Sequence, residues 1–337
     1  MAHYDFTFDN IPDLQGKTAI VTGGNSGIGE VISRELASKG AKVYIAGRSE
    51  IRVRNAIARI RTAVSTIDDD NEKLQYLPVD FESQKNAVQA AKLFAKLEPK
   101  VDIIVANAGV AGIKSELTAE GWERTFAHLG HFAFVTTLLP LIRSSAEQAG
   151  DSEIRIVVTS SRSYERASPL ELTALQDTFK GTFAPLVAYD LLSRYSRSKL
   201  ANLYFARQLS LQLRELPNVY VNAHHPGLIA TNIFHLENSP LPRWMQFVAY
   251  WQARLLGIPV DDGAKAALFL AADKRVVSDN INDKLIYPGP VDGFLHYSYL
   301  YVKQYNALAQ DLGAAAKLWE FSEHALGRAL EQDLTNF

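Results

Sequence analysis

Residues 17–40, KTAIVTGGNSGIGEVISRELASKG, decide the fold. An apolar run rich in β-branched residues, TAIV, leads into a glycine-rich turn, and an amphipathic helical pattern, EVISRELA, follows at once. A strand, a glycine turn and a helix in that order present backbone N–H groups and the positive end of a helix to a pyrophosphate. The segment therefore predicts a dinucleotide-binding βαβ unit, and a tight turn without a ligand is the alternative.

Strand and helix patterns alternate along the rest of the chain. Apolar strand patterns occur at 18–21, 42–46, 74–80, 101–106, 154–159, 219–224 and, as a last short strand, 284–286. This alternation predicts an α/β Rossmann fold, a doubly wound parallel sheet of about seven strands with helices on both faces. We expect one domain over residues 1–337, with a substrate lid at 232–260 and a C-terminal helical extension at 294–337.

The composition favours small-molecule chemistry. The chain has 337 residues, 47% of them hydrophobic, and a net charge of −2 without the basic tract that nucleic acid or anionic lipid would select. It has no cysteine, and its histidine pairs lack a carboxylate at metal-binding spacing, so we expect no metal.

No apolar run reaches the roughly 18 residues of a membrane helix, and residues 1–17 lack a signal pattern. We expect a cytoplasmic protein with a small-molecule substrate, no nucleic-acid partner and no integral membrane segment.

Tyr195 and Lys199 are four residues apart in RYSRSKLANLYFARQLS. The helical spacing of this stretch places both side chains on one face. A tyrosine beside an ammonium group can donate a proton, because the positive charge stabilises the phenolate and lowers its pKa from about 10 toward the working pH. A core tyrosine with Lys199 extending to solvent is the alternative.

The end of the second strand selects the dinucleotide. Gly47, Arg48 and Ser49 stand where a carboxylate would accept a hydrogen bond from the ribose 2′-hydroxyl of NAD. Arg48 could instead bind a 2′-phosphate in a bidentate manner, which favours NADP(H), and a solvated surface arginine is the alternative. Asp80, at the end of the third strand, suits either the adenine amino group or the N-cap of the next helix.

Several motifs together resemble the short-chain dehydrogenase/reductase superfamily, and within it the retinol dehydrogenase-like group that includes WW-domain oxidoreductases and fungal homologues. In the family's order, over nearly the whole chain, these motifs are IPDLQGKTAIVTGGNSGIG, DIIVANAGV, GWERTF, HLGHF, RIVVTSS, YSRSKLANLYFARQLS, HPGLIAT, DDGAKAALFLA and KLWEFSEHALG. The resemblance implies a Rossmann fold and hydride transfer between a nicotinamide and a carbonyl or alcohol.

The resemblance also implies residue roles. Ser161 would bind the substrate oxygen, Tyr195 would donate or accept the proton, and Lys199 would lower the pKa of Tyr195 and hold the nicotinamide ribose. Ser161 as a loop cap is the alternative. With the glycine turn and the strand ends, the expected cofactor-binding residues are Thr22, Gly23, Asn25, Ser26, Gly27, Ile28, Gly29, Arg48, Ser49, Asp80, Phe81, Asn107, Ala108, Gly109, Tyr195, Lys199, Pro226, Gly227, Ile229 and Thr231.

One motif departs from the family pattern. Relatives usually carry an asparagine directly before HLGHF, which helps hold a water that relays protons through the lysine. Here Ala127 precedes His128, and about two residues are missing after Gly121. Two deleted residues rotate the rest of a helix by about 200°, so the helix must kink or begin elsewhere. The alternatives are a reductase whose water is held by backbone carbonyls or His128, a protein that binds NADP without ordinary redox turnover, such as an isomerase, a cyclase or a cofactor sensor, and a splice variant.

Residues 232–260 are rich in bulky apolar side chains: Trp244, Met245, Phe247, Val248, Tyr250, Trp251, Leu255 and Leu256. They suit a lipophilic ketone, aldehyde or secondary alcohol, such as a polyketide or terpenoid intermediate of secondary metabolism. Packing onto the core or against a membrane surface is the alternative. The resemblance allows a homodimer through the helices that flank the active site, although LANLYFARQLSLQL suits the inside of one subunit equally well.

Overall fold

The computed structural model describes residues 3–64, 72–126, 128–148, 150, 153–229, 239–289 and 299–334, without side chains at 249–250, 252–256 and 332–334. The strands are β1 His3–Tyr4, β2 Thr18–Thr22, β3 Lys42–Gly47, β4 Leu74–Pro78, β5 Ile103–Ala106, β6 Ile154–Thr159, β7 Val219–His224, β8 Leu285–Pro288 and β9 Leu300–Lys303. The helices are α1 Gly27–Ser38, α2 Glu50–Ala63, α3 Gln84–Leu97, α4 His128–Thr137, α5 Leu139–Gln148, α6 Ala184–Gln212, α7 Arg243–Leu256, α8 Val260–Ala272, α9 Arg275–Ser278, α10 Ala307–Gln310 and α11 Leu312–Leu334. Short 3₁₀ turns lie at Phe8–Asn10, Arg162–Arg166 and Leu172–Gln176.

Over the described residues the strands form one sheet in the order β1-β9-β8-β7-β6-β5-β2-β3-β4. The run from β8 to β4 is parallel throughout, and β9 and β1 add an antiparallel edge. The predicted doubly wound α/β fold is confirmed, and the antiparallel edge is an addition that we did not predict.

The C-terminal part differs from the helical extension predicted at 294–337. Its first described segment is β9, which pairs with β8 and β1, and the helices begin only at α10. A short apolar run such as YLYVK is compatible with either helix or strand, so the free edge of β8 decides the outcome. The lid predicted at 232–260 contains α7, and residues 230–238 lie outside the described residues.

The sheet is buried on both faces. Along β2, Ile20 packs into one core with α3, α4 and α6, whereas Ala19 and Val21 pack into the other with α1 and α8. Strands buried on both faces read as continuous apolar runs, which explains why TAIV does not alternate with polar residues. The sheet therefore holds its carboxyl edge rigidly, with the ends of β2, β5 and β6 side by side.

We predict opposite effects of alanine at two helical glycines. At Gly130, in α4, an added Cβ would overlap the carbonyl oxygen of Phe81, whereas at Gly327, in α11, it would meet nothing within 4 Å. Gly130→Ala should lower the free energy of unfolding by about 1–3 kcal/mol through overpacking. Gly327→Ala should raise it by about 0.5–1 kcal/mol through helix propensity. Urea denaturation measures both, and an equal effect at the two sites would contradict the close approach of α4 to Phe81.

Candidate active site

The turn between β2 and α1 forms an open cradle. Gly23 and Gly27 have φ of +65° and +55°, in the left-handed region that favours glycine. A Cβ at Gly29 would overlap the carbonyl oxygen of Gly23 and would lie 2.7 Å from Asn107 Nδ2. Ser26, the N-cap of α1, makes no side-chain capping hydrogen bond, so that cap leaves the first N–H groups of the helix to an anion. These features fit a dinucleotide pyrophosphate.

The hydroxyl of Thr22 joins three elements at the bottom of this cradle. Its Oγ1 accepts hydrogen bonds from the backbone N–H groups of Asn107 and Ala108, each at 2.8 Å, and lies 2.9 Å from His131 Nε2. Because its two lone pairs are engaged, the hydroxyl proton points to Nε2, which must accept. Burial lowers the pKa of His131 to about 3, with Lys199 and His128 adding to the effect, so this ring is neutral. The Thr22 side chain therefore holds residues 107–108 and has no donor left for a cofactor.

Hydrogen bonds hold Lys199 at the end of β6. Its Nζ donates to the Thr159 carbonyl oxygen at 3.2 Å, and Asn202 Nδ2 donates to the same oxygen at 2.9 Å. Ser160 Oγ in turn donates to the Lys199 carbonyl oxygen at 2.8 Å. Burial lowers the pKa of Lys199 to about 8. The ammonium group lies 5.6 Å from the centre of the Tyr195 ring, so the structure brings the predicted pair together.

Ser161 and Tyr195 are also in contact. Burial raises the pKa of the Tyr195 phenol, and a hydrogen bond with Ser161 offsets part of that rise. The net pKa of Tyr195 in this structure is therefore above its ordinary value, because loss of hydration outweighs this hydrogen bond, and the expected effect of Lys199 on it stays a prediction. Ser161 also caps the 3₁₀ turn at Arg162–Arg166 by accepting from Ser163 N–H at 3.2 Å, so the loop-cap role that we left open is present as well.

Arg48 lies exposed at the end of β3. Its Nη1 is 3.2 Å from Glu82 Oε1 and 3.7 Å from Asp80 Oδ2. Asp80 accepts from the backbone N–H of Glu82 at 3.0 Å, and the N-cap of α3 is Ser83, so the N-cap alternative for Asp80 is wrong. The structure thus places Arg48 and Asp80 together, with Glu82 as a neighbour that we did not predict.

The remaining predicted cofactor-binding residues lie in several different parts of the structure. Asn107 Nδ2 donates to the Thr22 carbonyl oxygen at 3.0 Å and so links β2 to the end of β5. Phe81 stacks on His131 with ring centres 4.4 Å apart, and Ile229 is buried beside α8. Ser49 caps α2, and Gly227 has φ of +97°. Ala127 and Thr231 lie outside the described residues.

The segment that carries the GWERTF motif folds as a hairpin before α4. Thr118 N–H donates to the Trp122 carbonyl oxygen at 2.7 Å, and Arg124 N–H donates to the Glu116 carbonyl oxygen at 3.0 Å. Helix α4 begins at His128. We call residues 116–125 the hairpin.

Arg194 fixes the hairpin to α6, and the sequence reasoning missed it. The buried guanidinium donates to Glu123 Oε1 at 2.6 Å, to Thr125 Oγ1 at 2.8 Å and to Asp190 Oδ2 at 2.8 Å. It also donates to the Ile113 carbonyl oxygen at 3.1 Å. An arginine one residue before Tyr195 in a buried helical stretch was the available signal, but its main partners are distant in sequence.

A small cavity borders Lys199 and the hairpin. Its volume, counted as the space open to the centre of a water molecule, is about 10 Å³. This volume is close to the minimum that one water molecule needs. Its lining includes Gly109, Thr125, His128, Lys199 and Asn202. Ser322 Oγ donates to the Leu318 carbonyl oxygen, so His128 Nε2, at 3.2 Å, must donate to Ser322, and His128 Nδ1 is an acceptor with no partner among the described residues. The lining of the cavity thus includes the ammonium-bearing Lys199 and a histidine with an unpartnered buried acceptor.

Comparisons with known proteins agree with this geometry. Residues 17–171 match the short chain dehydrogenase family. The short chain dehydrogenase/reductase dpchH of Colletotrichum higginsianum is 34% identical over 336 residues, covering 96% of this chain and 78% of the relative. Retinol dehydrogenase 14 of Mus musculus is 29% identical over 323 residues, covering 93% of this chain and 87% of the relative.

A crystal structure of a Mycobacterium paratuberculosis protein superimposes with a TM-score of 0.68 at 25% identity, covering 96% of this chain and 98% of that one. These matches confirm the predicted resemblance. Separately, none of the described helices is long and apolar enough to cross a membrane.

We predict that Arg194→Ala lowers the free energy of unfolding by about 3–5 kcal/mol, because it leaves the buried carboxylate of Glu123 unpaired. Arg194→Lys should recover part of the loss, since it keeps the charge without the fork. Arg214→Ala is the matched control: its exposed pair with Glu215 should contribute less than about 0.5 kcal/mol. Chemical denaturation measures all three variants, and similar losses for Arg194→Ala and Arg214→Ala would contradict the buried pair.

Proposed function

Because the chain belongs to the short-chain dehydrogenase/reductase family, we propose that it is an NADP(H)-dependent oxidoreductase that acts on a lipophilic ketone, aldehyde or secondary alcohol. Family membership makes it an oxidoreductase that binds a nicotinamide cofactor. The choice of NADP(H), the substrate class and the residue roles are our proposal. The observation that carries it is the convergence of Ser161, Tyr195 and Lys199 at the carboxyl edge of the sheet, beside the glycine cradle.

The bound nicotinamide supplies the hydride in reduction and accepts it in oxidation. In reduction, the hydroxyl of Ser161 donates to the carbonyl oxygen and Tyr195 transfers its proton to that oxygen as negative charge develops there. Both groups act where the transition state differs from the ground state. The raised pKa of Tyr195 keeps the phenol protonated at neutral pH, and the ammonium of Lys199 stabilises the phenolate left behind.

The cavity beside Lys199 favours redox turnover over binding alone. We propose that a water between Lys199 Nζ and the unpartnered acceptor His128 Nδ1 takes the place of the water that relatives hold with asparagine. Burial lowers the pKa of His128 to about 3, so the ring accepts without becoming charged. Of the accounts left open for the missing asparagine, this supports a reductase with His128 as the water ligand.

The preference for NADP(H) and for an apolar substrate rests on exposed groups. Arg48 is 62% exposed, and exposed ion pairs contribute little, so a 2′-phosphate can displace its carboxylate partners. Trp244, Phe247 and Trp251 on α7 are 67%, 63% and 42% exposed, which suits a lid that closes on an apolar molecule.

Other predictions about the protein's setting stay predictions. They are secondary metabolism, cytoplasmic location and a homodimer. In α6, Leu200, Leu203 and Leu209 are buried within one subunit, which favours the alternative in which this stretch packs inside the monomer.

A non-redox activity on the same fold is the second candidate, because Tyr195 alone could serve as the acid of an isomerase or cyclase. The measurement that separates the two is transfer of deuterium from hydride-labelled NADPH to products of an apolar metabolite extract from the protein's own source. For a reductase we expect products one mass unit heavier and equal consumption of NADPH. Unlabelled products with NADPH unconsumed would support the second candidate.

We predict that Tyr195→Phe lowers hydride transfer by at least about 100-fold, because the proton donor is lost, and leaves the Kd of NADPH within about threefold. The matched control is Tyr189→Phe on the same helix, whose ring is 71% exposed and should be dispensable. Single-turnover rates and fluorescence titration with NADPH make the comparison. Unchanged turnover in Tyr195→Phe would refute the catalytic assignment.

The pH dependence follows from Lys199. Its folded pKa of about 8 lies below the ordinary value of 10.5, so the free enzyme loses this positive charge as the pH rises above about 8. We expect kcat/KM for carbonyl reduction to fall on that limb. Lys199→Arg, which stays charged, should move the limb upward whatever its effect on the maximum rate. An identical alkaline limb in this variant would assign the limb to another group.

A further inference from the structure

We infer that Glu82 and Arg124 set the preference between NADP(H) and NAD(H) by controlling how much of the Arg48 charge a 2′-phosphate can use. The inference rests on the proposed function, and it adds two residues that the glycine cradle and the catalytic group do not include. Arg124 comes from the hairpin and Glu82 from the loop after β4, so the structure alone brings them to the end of β3.

The contacts form a chain from the hairpin to Arg48. Arg124 holds Glu82 with two hydrogen bonds, from Nε to Oε2 at 3.1 Å and from Nη2 to Oε1 at 2.9 Å. Arg48 reaches the same Oε1 through one hydrogen bond from Nη1, at 3.2 Å. The side chains of Arg124 and Glu82 are 29% and 25% exposed, against 62% for Arg48. Arg48 is therefore the partner that leaves most easily.

The charges around this chain are nearly balanced. Two guanidinium groups, Arg48 and Arg124, face three carboxylates, since Asp80 lies 3.7 Å from Arg48 and Glu116 lies 3.0 Å from Arg124. Burial raises the pKa of Glu82, but the hydrogen bonds and charges of Arg124 and Arg48 outweigh it and hold the pKa below its ordinary value. Glu82 is consequently ionised at neutral pH.

An ionised Glu82 opposes a 2′-phosphate in two ways. It competes for the same guanidinium nitrogen of Arg48, and it repels the phosphate dianion through space. Arg124 reduces both effects, because it holds the Glu82 carboxylate through a bidentate pair of hydrogen bonds and neutralises part of its charge. A 2′-hydroxyl carries no charge and responds far less to this balance than a phosphate does, so Glu82 and Arg124 act mainly on the binding of NADP(H).

The test compares Glu82→Gln, Arg124→Gln and the double variant in the full chain. We expect Glu82→Gln to lower the Kd of NADPH by about tenfold and Arg124→Gln to raise it by about tenfold, with the Kd of NADH within about twofold in both. In the Glu82→Gln background, Arg124→Gln should change the Kd of NADPH by less than about threefold, because the carboxylate it restrains is gone. Adenosine 2′,5′-bisphosphate and adenosine 5′-monophosphate are the probes that isolate the phosphate.

Three controls complete the experiment. Arg124→Lys keeps the charge and should stay close to the wild-type preference. Glu215→Gln removes one exposed carboxylate beyond the end of α6 and should change neither Kd. Arg48→Ala should raise the Kd of NADPH and leave that of NADH nearly unchanged.

The outcomes separate the inference from the proposed function. Equal changes in the Kd of both cofactors would mean a merely structural role and would overturn the inference. An unchanged cofactor preference in Glu82→Gln would also overturn it, and this variant is a sufficient test even if the Arg124 variants do not fold. The wild-type ratio of the two Kd values tests NADP(H) dependence separately. A wild-type protein that favours NADH contradicts the proposed cofactor, yet a shift toward NADPH in Glu82→Gln would still support the inference.

Discussion

The carboxyl edge of the sheet depends on the buried hydroxyl of Thr22. Two backbone N–H groups of the segment after β5 converge on its oxygen, and its proton reaches His131 on α4. A valine of similar size would leave the half-buried N–H of Ala108 and one ring nitrogen of His131 without this partner, at about 1–3 kcal/mol for each. The contact therefore sets the distance between the glycine cradle and the wall formed by residues 107–109, which is the crevice where a dinucleotide must fit.

The hairpin also stabilises this edge of the sheet, and it contacts both α3 and α6. Glu120 accepts from the N–H groups of Gln84 and Lys85 at the start of α3, and Arg124 holds Glu82 close by. Glu123 pairs with Arg194, the neighbour of Tyr195 on α6. The hairpin thus joins the adenosine end of the crevice to the catalytic helix.

Burial, more than the neighbouring charge, determines the electrostatics of the catalytic group. It raises the pKa of Tyr195 and lowers that of Lys199, so each group moves toward its neutral form. An i, i+4 spacing predicts that the two side chains share a face, and they do. It does not predict how much hydration they lose, because that depends on α4, the hairpin and the end of β6 closing around them.

Local sequence patterns were enough to predict the parallel sheet, the glycine cradle and the shared helix face of Tyr195 and Lys199. Each of these follows from short-range backbone geometry and from the period of the apolar residues. The strand at Leu300–Lys303 could not be predicted in this way, since the free edge of β8 decides it. The partners of Thr22, Arg194 and Glu82 were equally hidden. Apart from the Arg194–Asp190 pair, these polar contacts join residues far apart in the chain, so only the tertiary structure could decide which charges meet at the site.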